Sequence, residues 1–488
     1  MSQREVTRDR VTSEADLVSE VQESGPFDGL KSQRWRRAAV SHRFRDTERE
    51  IMNDNYFPSA SLLESVRFTT QIAVPNVVQG LFRRRRRASE LADSLGIDHR
   101  AVRFYEELVN RHEVPIYVRV GTTTMLLVHR PEDIAEVLQG SPDPFASDPD
   151  TKSKGMAHFQ PDALTITRAP LWQNRRRFAE AILDAGSPPH RMAETFIHAV
   201  NEEADKLASS SITWEQINTT FQRLTRRVIF GDAAADDSEV TDLLTILMDE
   251  ANNSPSTASP HLPELLDRVQ HYIGRAEPGC LASLVGTAPK NEDTHPAGQL
   301  LHWMFAMGDT LPANVFRALA LLATHHDHLD LVRDELAARS TSQEVTPEYL
   351  TACLHDTMRL WPTTVMFGRV TTRDTTLHGV HVPADTQILI YNLGNHRNRD
   401  RVAFADQFSP QEWISGNAAA NWSFNFFSHG PQGCPGSGLA LHLGTAVLAR
   451  LIGRGFPRLY GATLSADRPL PPSLNVFDLE ITINSRKV

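Results

Sequence analysis

Cysteine is scarce in this chain, with three residues in 488: Cys280, Cys353 and Cys434. Three thiols make no disulfide framework, which excludes the small secreted scaffolds and points to a reducing, cytoplasmic compartment. Long apolar runs are missing too. No stretch reaches the roughly 18 residues that a membrane-spanning helix needs. The N-terminus, "MSQREVTRDRVTSEADLVSEVQESG", is charged and lacks the apolar centre of a secretory signal. Excess positive charge is absent as well: 50 basic against 60 acidic residues leave a net charge of −10, which argues against a nucleic-acid partner. No internal repeat is evident.

What is present is ordinary globular material, and its patterning is mostly helical. Residues 1 to about 60 are polar and charged, and the first hundred read as a partly ordered arm docking on a domain of residues 101–488. Within the arm, "FTTQIAVPNVVQGLFRRRRRASELADS" joins a short apolar piece to Arg83–Arg87. That combination permits peripheral membrane contact. A proline interrupts the apolar piece, which favours docking on the chain's own domain with a solvated charge run beside it. "AVRFYEELVNRH" has helical spacing, while "VPIYVRV" and "TMLLVHR" alternate as paired strands around "GTT". "PEDIAEVLQG" opens with proline and acids and closes with glycine, as a helix does. Residues 145–170 read as loop. Helices are predicted at about 171–184, 190–208, 213–230, 238–252 and 262–275. A further span, 295–323, has so few polar residues that it should be central and buried. A short helix after 340, a β-rich region at 367–391 and a last helix near 437–453 complete the pattern.

"FNFFSHGPQGCPGSGLALHLG", residues 424–444, sets Cys434 among glycines just before that last helix. Free N–H groups and the macrodipole at a helix start favour a thiolate. Gly430, Gly433 and Gly436 permit positive φ and close approach of something flat. Such a cysteine suits a nucleophile, a metal ligand or a haem thiolate, and equally a small buried hydrophobe.

The surrounding motifs decide among these. "FFSHGPQGCPGSGLA" resembles the haem-ligand loop of the cytochrome P-450 monooxygenases, through Phe427, Gly430, Cys434, Gly436 and Ala440. "CLHDTMRLWPT" is similar to the family's Glu-x-x-Arg helix, with Asp356 in the Glu place and Arg359 three residues on, on the same helical face. Arg369 in "VMFGRV" resembles an arginine that meets a haem propionate. "PLWQNRRRF" matches Trp-x-x-x-Arg with Trp172 and Arg176, the pair at the other propionate. "MFAMGDTLPANVFRALALLATHH" resembles the long helix over the distal haem face, giving Ala306, Asp309 and Thr310.

The resemblance implies a mainly α fold with small β-sheets, the triangular cytochrome P-450 domain, its haem b between the long distal helix and the Cys434 loop. It implies Cys434 as iron ligand, Ala306, Phe427, Gly430, Gln432 and Gly436 around the haem, and Asp309 with Thr310 as the proton-delivering pair. It implies hydroxylation of a small-to-medium apolar substrate by O2, the kind of oxidation used in secondary metabolism. The chain ends about 50 residues after Cys434, which leaves no room there for an electron-transfer domain. The expected partners are therefore those of the bacterial type, a ferredoxin and an NAD(P)H-dependent ferredoxin reductase. Trp303, Val365, Phe367, Val476 and Phe477 are the expected substrate-pocket lining.

Three positions depart from the family pattern. Gln432 stands where Arg or His commonly reaches a propionate, with His429 the nearest compensating cation. Glu412 replaces the arginine that completes the Glu-Arg-Arg network, which would place Arg359 between Asp356 and Glu412. Met307 fills the usual glycine of the distal groove, and Leu311–Pro312 follows Thr310. These departures keep a peroxygenase, an isomerase or an oxidative-coupling enzyme in view. A haem sensor and a cysteine hydrolase are the remaining alternatives, the latter without a His and Asx of its own in place.

Overall fold

The computed structural model describes residues 56–207, 211–253, 257–339, 346–484. Residues 57 onward belong to one unit, and the arm expected up to residue 100 divides accordingly. Its first 55 residues lie outside the described ones, while 57–100 belong to the unit that carries the rest. This segment forms α1 (Leu62–Phe68), α2 (Val74–Gln79) and α3 (Arg86–Ser94), followed by α4 (Ile97–Arg111). Phe68 and Ile72 pack into one apolar cluster with Phe104, Tyr105 and Leu108 of α4. The arginine run keeps its contact with solvent, Arg83, Arg86 and Arg87 being exposed, while several of its members also reach the domain. Arg83 pairs with Asp249 at 2.8 Å, Arg85 donates to Asn253 at 2.8 Å, Arg86 pairs with Glu215 at 2.8 Å, and Arg84 is enclosed by protein. These pairs lie at the surface, and Leu62, Leu63, Val74, Val77, Val78 and Leu81 beside them are exposed.

Next come β1 (Ile116–Val120), β2 (Thr123–Leu127) and α5 (Pro131–Gln139), at the predicted places. The expected loop at 145–170 contains β3 (Phe145–Ala146) and α6 (Asp150–Ala157). "DTKSKGMA" has no apolar period to announce a helix. The Lys152 ammonium donates to the Ser147 carbonyl (2.9 Å) and to the carbonyl and hydroxyl of Thr165 (2.7 and 2.6 Å), tying the segment together through contacts that its own sequence does not display.

The helical body follows: α7 (Leu171–Leu183), α8 (Ala193–Asp205), β4 (Ile212–Thr213), α9 (Trp214–Phe230), α10 (Ser238–Ala251) and α11 (Leu262–Arg275). The central rod is α12 (Pro296–Phe305), a π-helical turn (Ala306–Thr310) and α13 (Leu311–Thr324). After it come α14 (His326–Arg339), α15 (Glu348–Leu360), β5 (Met366–Thr371), β6 (Thr375–Leu377), β7 (Val380–Val382), β8 (Gln387–Tyr391), α16 (Asn392–His396), α17 (Gln411–Ile414), α18 (Ser437–Arg454), β9 (Phe456–Tyr460) and β10 (Glu480–Asn484). One sheet runs β1-β2-β8-β5-β3, with β2 and β8 parallel (Met125 opposite Gln387) and β5 and β8 antiparallel (Met366 opposite Tyr391). The other sheets are β4-β10-β9 and β6-β7.

The largest apolar cluster joins α7 to α13, α15 and α18 around the rod. Nearly every α13 residue from Leu311 to Ala323 is buried, so the rod is the core's axis, as its composition required. Gly444 brings α18 against it: a Cβ there would lie 3.2 Å from both Leu311 and Val315.

Candidate active site

The π turn in the rod has a local cause. Pro312, in the first turn of α13, has no N–H to offer the Gly308 carbonyl four residues back. Two α9 amides serve that carbonyl instead, Asn218 Nδ2 and Gln222 Nε2, each at 3.3 Å. The same amides hold the Asp309 carboxyl, Oδ1 accepting from Asn218 at 3.0 Å and from Gln222 at 3.4 Å. Asp309 Oδ2 is buried with no partner. Burial pushes this carboxyl's pKa up, against the pull of the Asn218 bond. Thr310 donates its hydroxyl back to the Ala306 carbonyl.

Inside this packed rod, His302, Ala306 and Thr310 follow one another at intervals of four along one face, and all three keep free surface. An exposed Ala306 at the middle of a core helix marks an internal space beside it. Met307 and Gly308 face the other way and are buried. Cys434 has the same character. It is enclosed by protein and yet exposed, so the thiol also lines an internal space.

The Cys434 loop is fixed by its backbone. Gly430 sits at φ 68°, where a Cβ would lie 2.2 Å from the Leu138 carbonyl oxygen; only glycine fits. The Cys434 N–H donates to the Phe427 carbonyl at 2.8 Å, and Gly436 caps α18. Burial raises the thiol pKa, while the Gly436 N–H and the Arg176 guanidinium pull it down. Of the three arginines after Trp172, the structure brings Arg176 to this loop. Its Nη1 donates to the Gly433 carbonyl at 2.5 Å, its Nε pairs with Glu180 at 2.7 Å, and it lies 6.0 Å from the Trp172 ring centroid. Arg175 is instead a buried strut to Asp162 and Asp293, and Arg177 faces solvent.

Two features near the loop lack what their chemistry calls for. Arg369 is buried, donating to Ser141 Oγ (3.1 Å), Ser428 Oγ (3.1 Å) and the Gly368 carbonyl (3.0 Å), with no carboxylate paired to it among the described residues. Burial lowers its pKa to about 10. Both polar atoms of the Gln432 side chain are buried without any partner. His429, expected to replace the missing charge at 432, does not. It bonds the Phe424 carbonyl at 3.0 Å, and burial lowers its pKa, favouring the neutral ring. Lys152 is the cation near Arg369, and burial together with the Arg369 charge brings its pKa to about 7.

Asp356 and Arg359 form a buried two-pronged pair, Nε–Oδ1 2.6 Å and Nη2–Oδ2 3.1 Å. Glu412 is not its third member. Arg359 donates onward to the carbonyls of Ala405 (3.1 Å) and Gln407 (2.7 Å), and Asp356 accepts from the Ser409 N–H (2.7 Å) and Trp413 Nε1 (3.0 Å). Glu412 bonds Asn417 on the outside of α17, because the neighbouring Trp413 takes the inward direction.

The expected substrate lining needs correction in three places. Trp303 is buried and stacks on Phe178 at 6.2 Å, on the rod's α7 side; the residue on the open face is His302, four before Ala306, a spacing already visible in the sequence. Val476 lies in the core, and Phe477 packs edge-on to Trp214 at 5.9 Å with Arg86 beyond it. Val365 and Phe367 pack against the two apolar clusters flanking the five-stranded sheet, Phe367 with the Arg369 guanidinium 5.2 Å from its ring centroid. No helix among the described residues is long and apolar enough to cross a membrane.

Comparison with known proteins bears on this site directly. Residues 283–454, from just before the rod through α18, match the family model "Cytochrome P-450". Cytochrome P-450 4c3 of Drosophila melanogaster is 31% identical over 182 residues, covering 35% of this chain and 34% of that protein. The chain thus spans about a third of that relative's length. Cytochrome P-450 81F4 of Arabidopsis thaliana is 23% identical over 405 residues, 72% of this chain and 80% of that one. Among solved structures, that of a cytochrome P-450 named CYP102L1 superposes with a TM-score of 0.63 at 20% identity, covering 79% of this chain and 94% of that one, a likeness of fold.

Proposed function

The chain is a cytochrome P-450 by its family segment and its fold, and from that premise we propose that it is a haem-thiolate monooxygenase, inserting one atom of O2 into a small-to-medium organic substrate with electrons from separate redox proteins. The observation that carries this reading is Cys434: a thiol enclosed by the protein yet open to an internal space, at the start of a helix that packs against the rod. The exposed Ala306 face supports a slot with the rod as its opposite wall.

The residues present fit haem b, a flat dicarboxylate whose iron Cys434 would hold through its thiolate. Arg369 lacks an anion and Gln432 lacks any partner, and a propionate answers both. Arg176 is placed for the second carboxylate, where a guanidinium makes a bidentate contact. When bound, haem would supply the oxygen activation, to which the Cys434 thiolate would contribute electron density. The chain itself ligates through Cys434, excludes water with its apolar core, and manages protons. Asp309, held by Asn218 and Gln222 and with Oδ2 unpartnered, is suited to carry a proton to Thr310. Arg177, exposed on α7 next to the haem-side Arg176, suits the docking of an acidic ferredoxin reduced by an NAD(P)H-dependent reductase.

A second reading has its own observation. Thr310 is bonded to its own helix and Asp309 is turned to α9, the resting arrangement of an enzyme that needs no proton delivery, such as a peroxygenase or isomerase. Turnover of an aromatic probe panel under 18O2 with a surrogate ferredoxin and reductase separates the two. The monooxygenase reading expects NAD(P)H-dependent label in the product. Product formed from peroxide alone, or an unlabelled rearranged product, establishes the second.

A further inference from the structure

His302 is a partly exposed imidazole, enclosed within the fold, that the reaction above does not use. It occupies the open face of the rod one turn before Ala306, about 6 Å along the helix axis. Its Nδ1 lies 2.8 Å from Gln160 Oε1. An amide oxygen only accepts, so Nδ1 carries the proton and Nε2 is left with its lone pair. Gln160 is itself fully buried, which encloses the amide behind the imidazole. No described residue bonds His302 Nε2, and the residue keeps free surface although it lies deep within the fold. The lone pair therefore looks into the internal space. Beside it the wall is aromatic: Phe305, which keeps free surface, lies 6.2 Å from the imidazole and is backed edge-on at 5.4 Å by the fully buried Phe159.

We infer that His302 is the polar recognition point of the substrate space, and that the substrate carries a hydrogen-bond donor, a hydroxyl or N–H, on an otherwise apolar body. This inference rests on the haem-thiolate reading. An anionic substrate group is the competing idea, since Lys152 is close enough to act on His302. All three Lys152 donors are already engaged, however, by Ser147 and Thr165. Burial and the Lys152 charge also lower the His302 pKa to about 4, so the ring is neutral near pH 7 and offers an acceptor rather than a cation. A ligand that fills this space without a donor leaves the Nε2 acceptor desolvated and unpaired, which costs ~1–3 kcal/mol, roughly 5- to 150-fold in affinity.

The test is ligand-induced spin-shift titration of the ferric protein with two matched pairs of different size, phenol against anisole and 4-phenylphenol against 4-methoxybiphenyl. The parent should bind at least one phenol about tenfold more tightly than its methyl ether. His302→Leu should bring that ratio to within about twofold, and His302→Gln, which keeps an acceptor, should restore part of it, with the reduced carbon monoxide spectrum unchanged throughout. Absence of a phenol preference in both pairs, including absence of binding, overturns the inference. So does a preference that survives in His302→Leu, or a resting spectrum of nitrogen-ligated iron lost in that variant. A variant-independent loss of the thiolate carbon monoxide band would instead overturn the haem-thiolate reading beneath it.

Discussion

Removing the charge of Asp356 should be among the most destabilising conservative changes in this chain, and removing that of Glu412 should be nearly silent. Asp356 and Arg359 are both without solvent exposure. The carboxylate takes four donors: two from Arg359, the Ser409 N–H and the Trp413 indole. Asp356→Asn keeps the shape but leaves the Arg359 guanidinium, 4.8 Å from the Phe404 ring centroid, buried without its counter-ion. Breaking one side of a buried pair costs ~3–5 kcal/mol. That is a large share of the ~5–15 kcal/mol by which a folded protein is stable. Glu412→Gln alters only a half-exposed bond to Asn417 and should stay within ~0.5 kcal/mol. Urea unfolding of the three proteins, followed by far-UV circular dichroism, measures both. Equal losses for Asp356→Asn and Glu412→Gln would refute the network as drawn here and reinstate Glu412 as its third member.

Three further outcomes are expected. The Asp309 pKa is raised by burial, so its stabilising contribution is present while the group is protonated and is lost as pH rises through its folded-state value; Asp309→Asn should gain in Tm relative to the parent as pH climbs past the ordinary carboxylate range, read by thermal melts across pH. On the proposed function, Arg369→Met removes the buried cation that would meet a propionate, and a charge-assisted bond worth ~1.5–3 kcal/mol implies haem loss to apomyoglobin roughly 10- to 150-fold more favourable than from the parent. Gly430→Ala places a Cβ 2.2 Å from the Leu138 carbonyl oxygen at a positive φ, and should cost at least ~2 kcal/mol in the same urea assay, the backbone conformation alone accounting for ~1–2.

Much of this was legible in the sequence where a feature is local. The helices from α7 to α11 announce themselves by apolar spacing, and the observed bounds fall within a few residues of those expected. The rod at 295–323 was legible as central because few of its residues are polar. Its π turn was not, although Pro312 is its local cause. Compensation comes from Asn218 and Gln222, about ninety residues away, and nothing in the rod itself names them. The same holds for α6, whose Lys152 tether reaches Ser147 and Thr165. At the site, motif order singled out Arg176, Arg369 and the Asp356–Arg359 pair, each on a helix or strand of fixed register, and Cys434 in the loop that Arg176 reaches. Errors fell where one residue of register decides direction. Trp303 and His302 differ by about 100° around a helix, and Trp413 took the inward position assigned to Glu412. Those outcomes depend on what each side chain meets across the interface, Phe178 for Trp303 and Asp356 for Trp413.

The central claim is that Cys434 faces a haem iron as its thiolate ligand, and the absorption spectrum of the reduced, carbon monoxide-treated protein tests it most directly. The parent should show the strongly red-shifted Soret band of a thiolate trans to carbon monoxide, and Cys434→Ser should lose that band while keeping its far-UV circular dichroism. A colourless parent, a globin-like carbon monoxide band, or a red-shifted band that persists in Cys434→Ser would contradict the account.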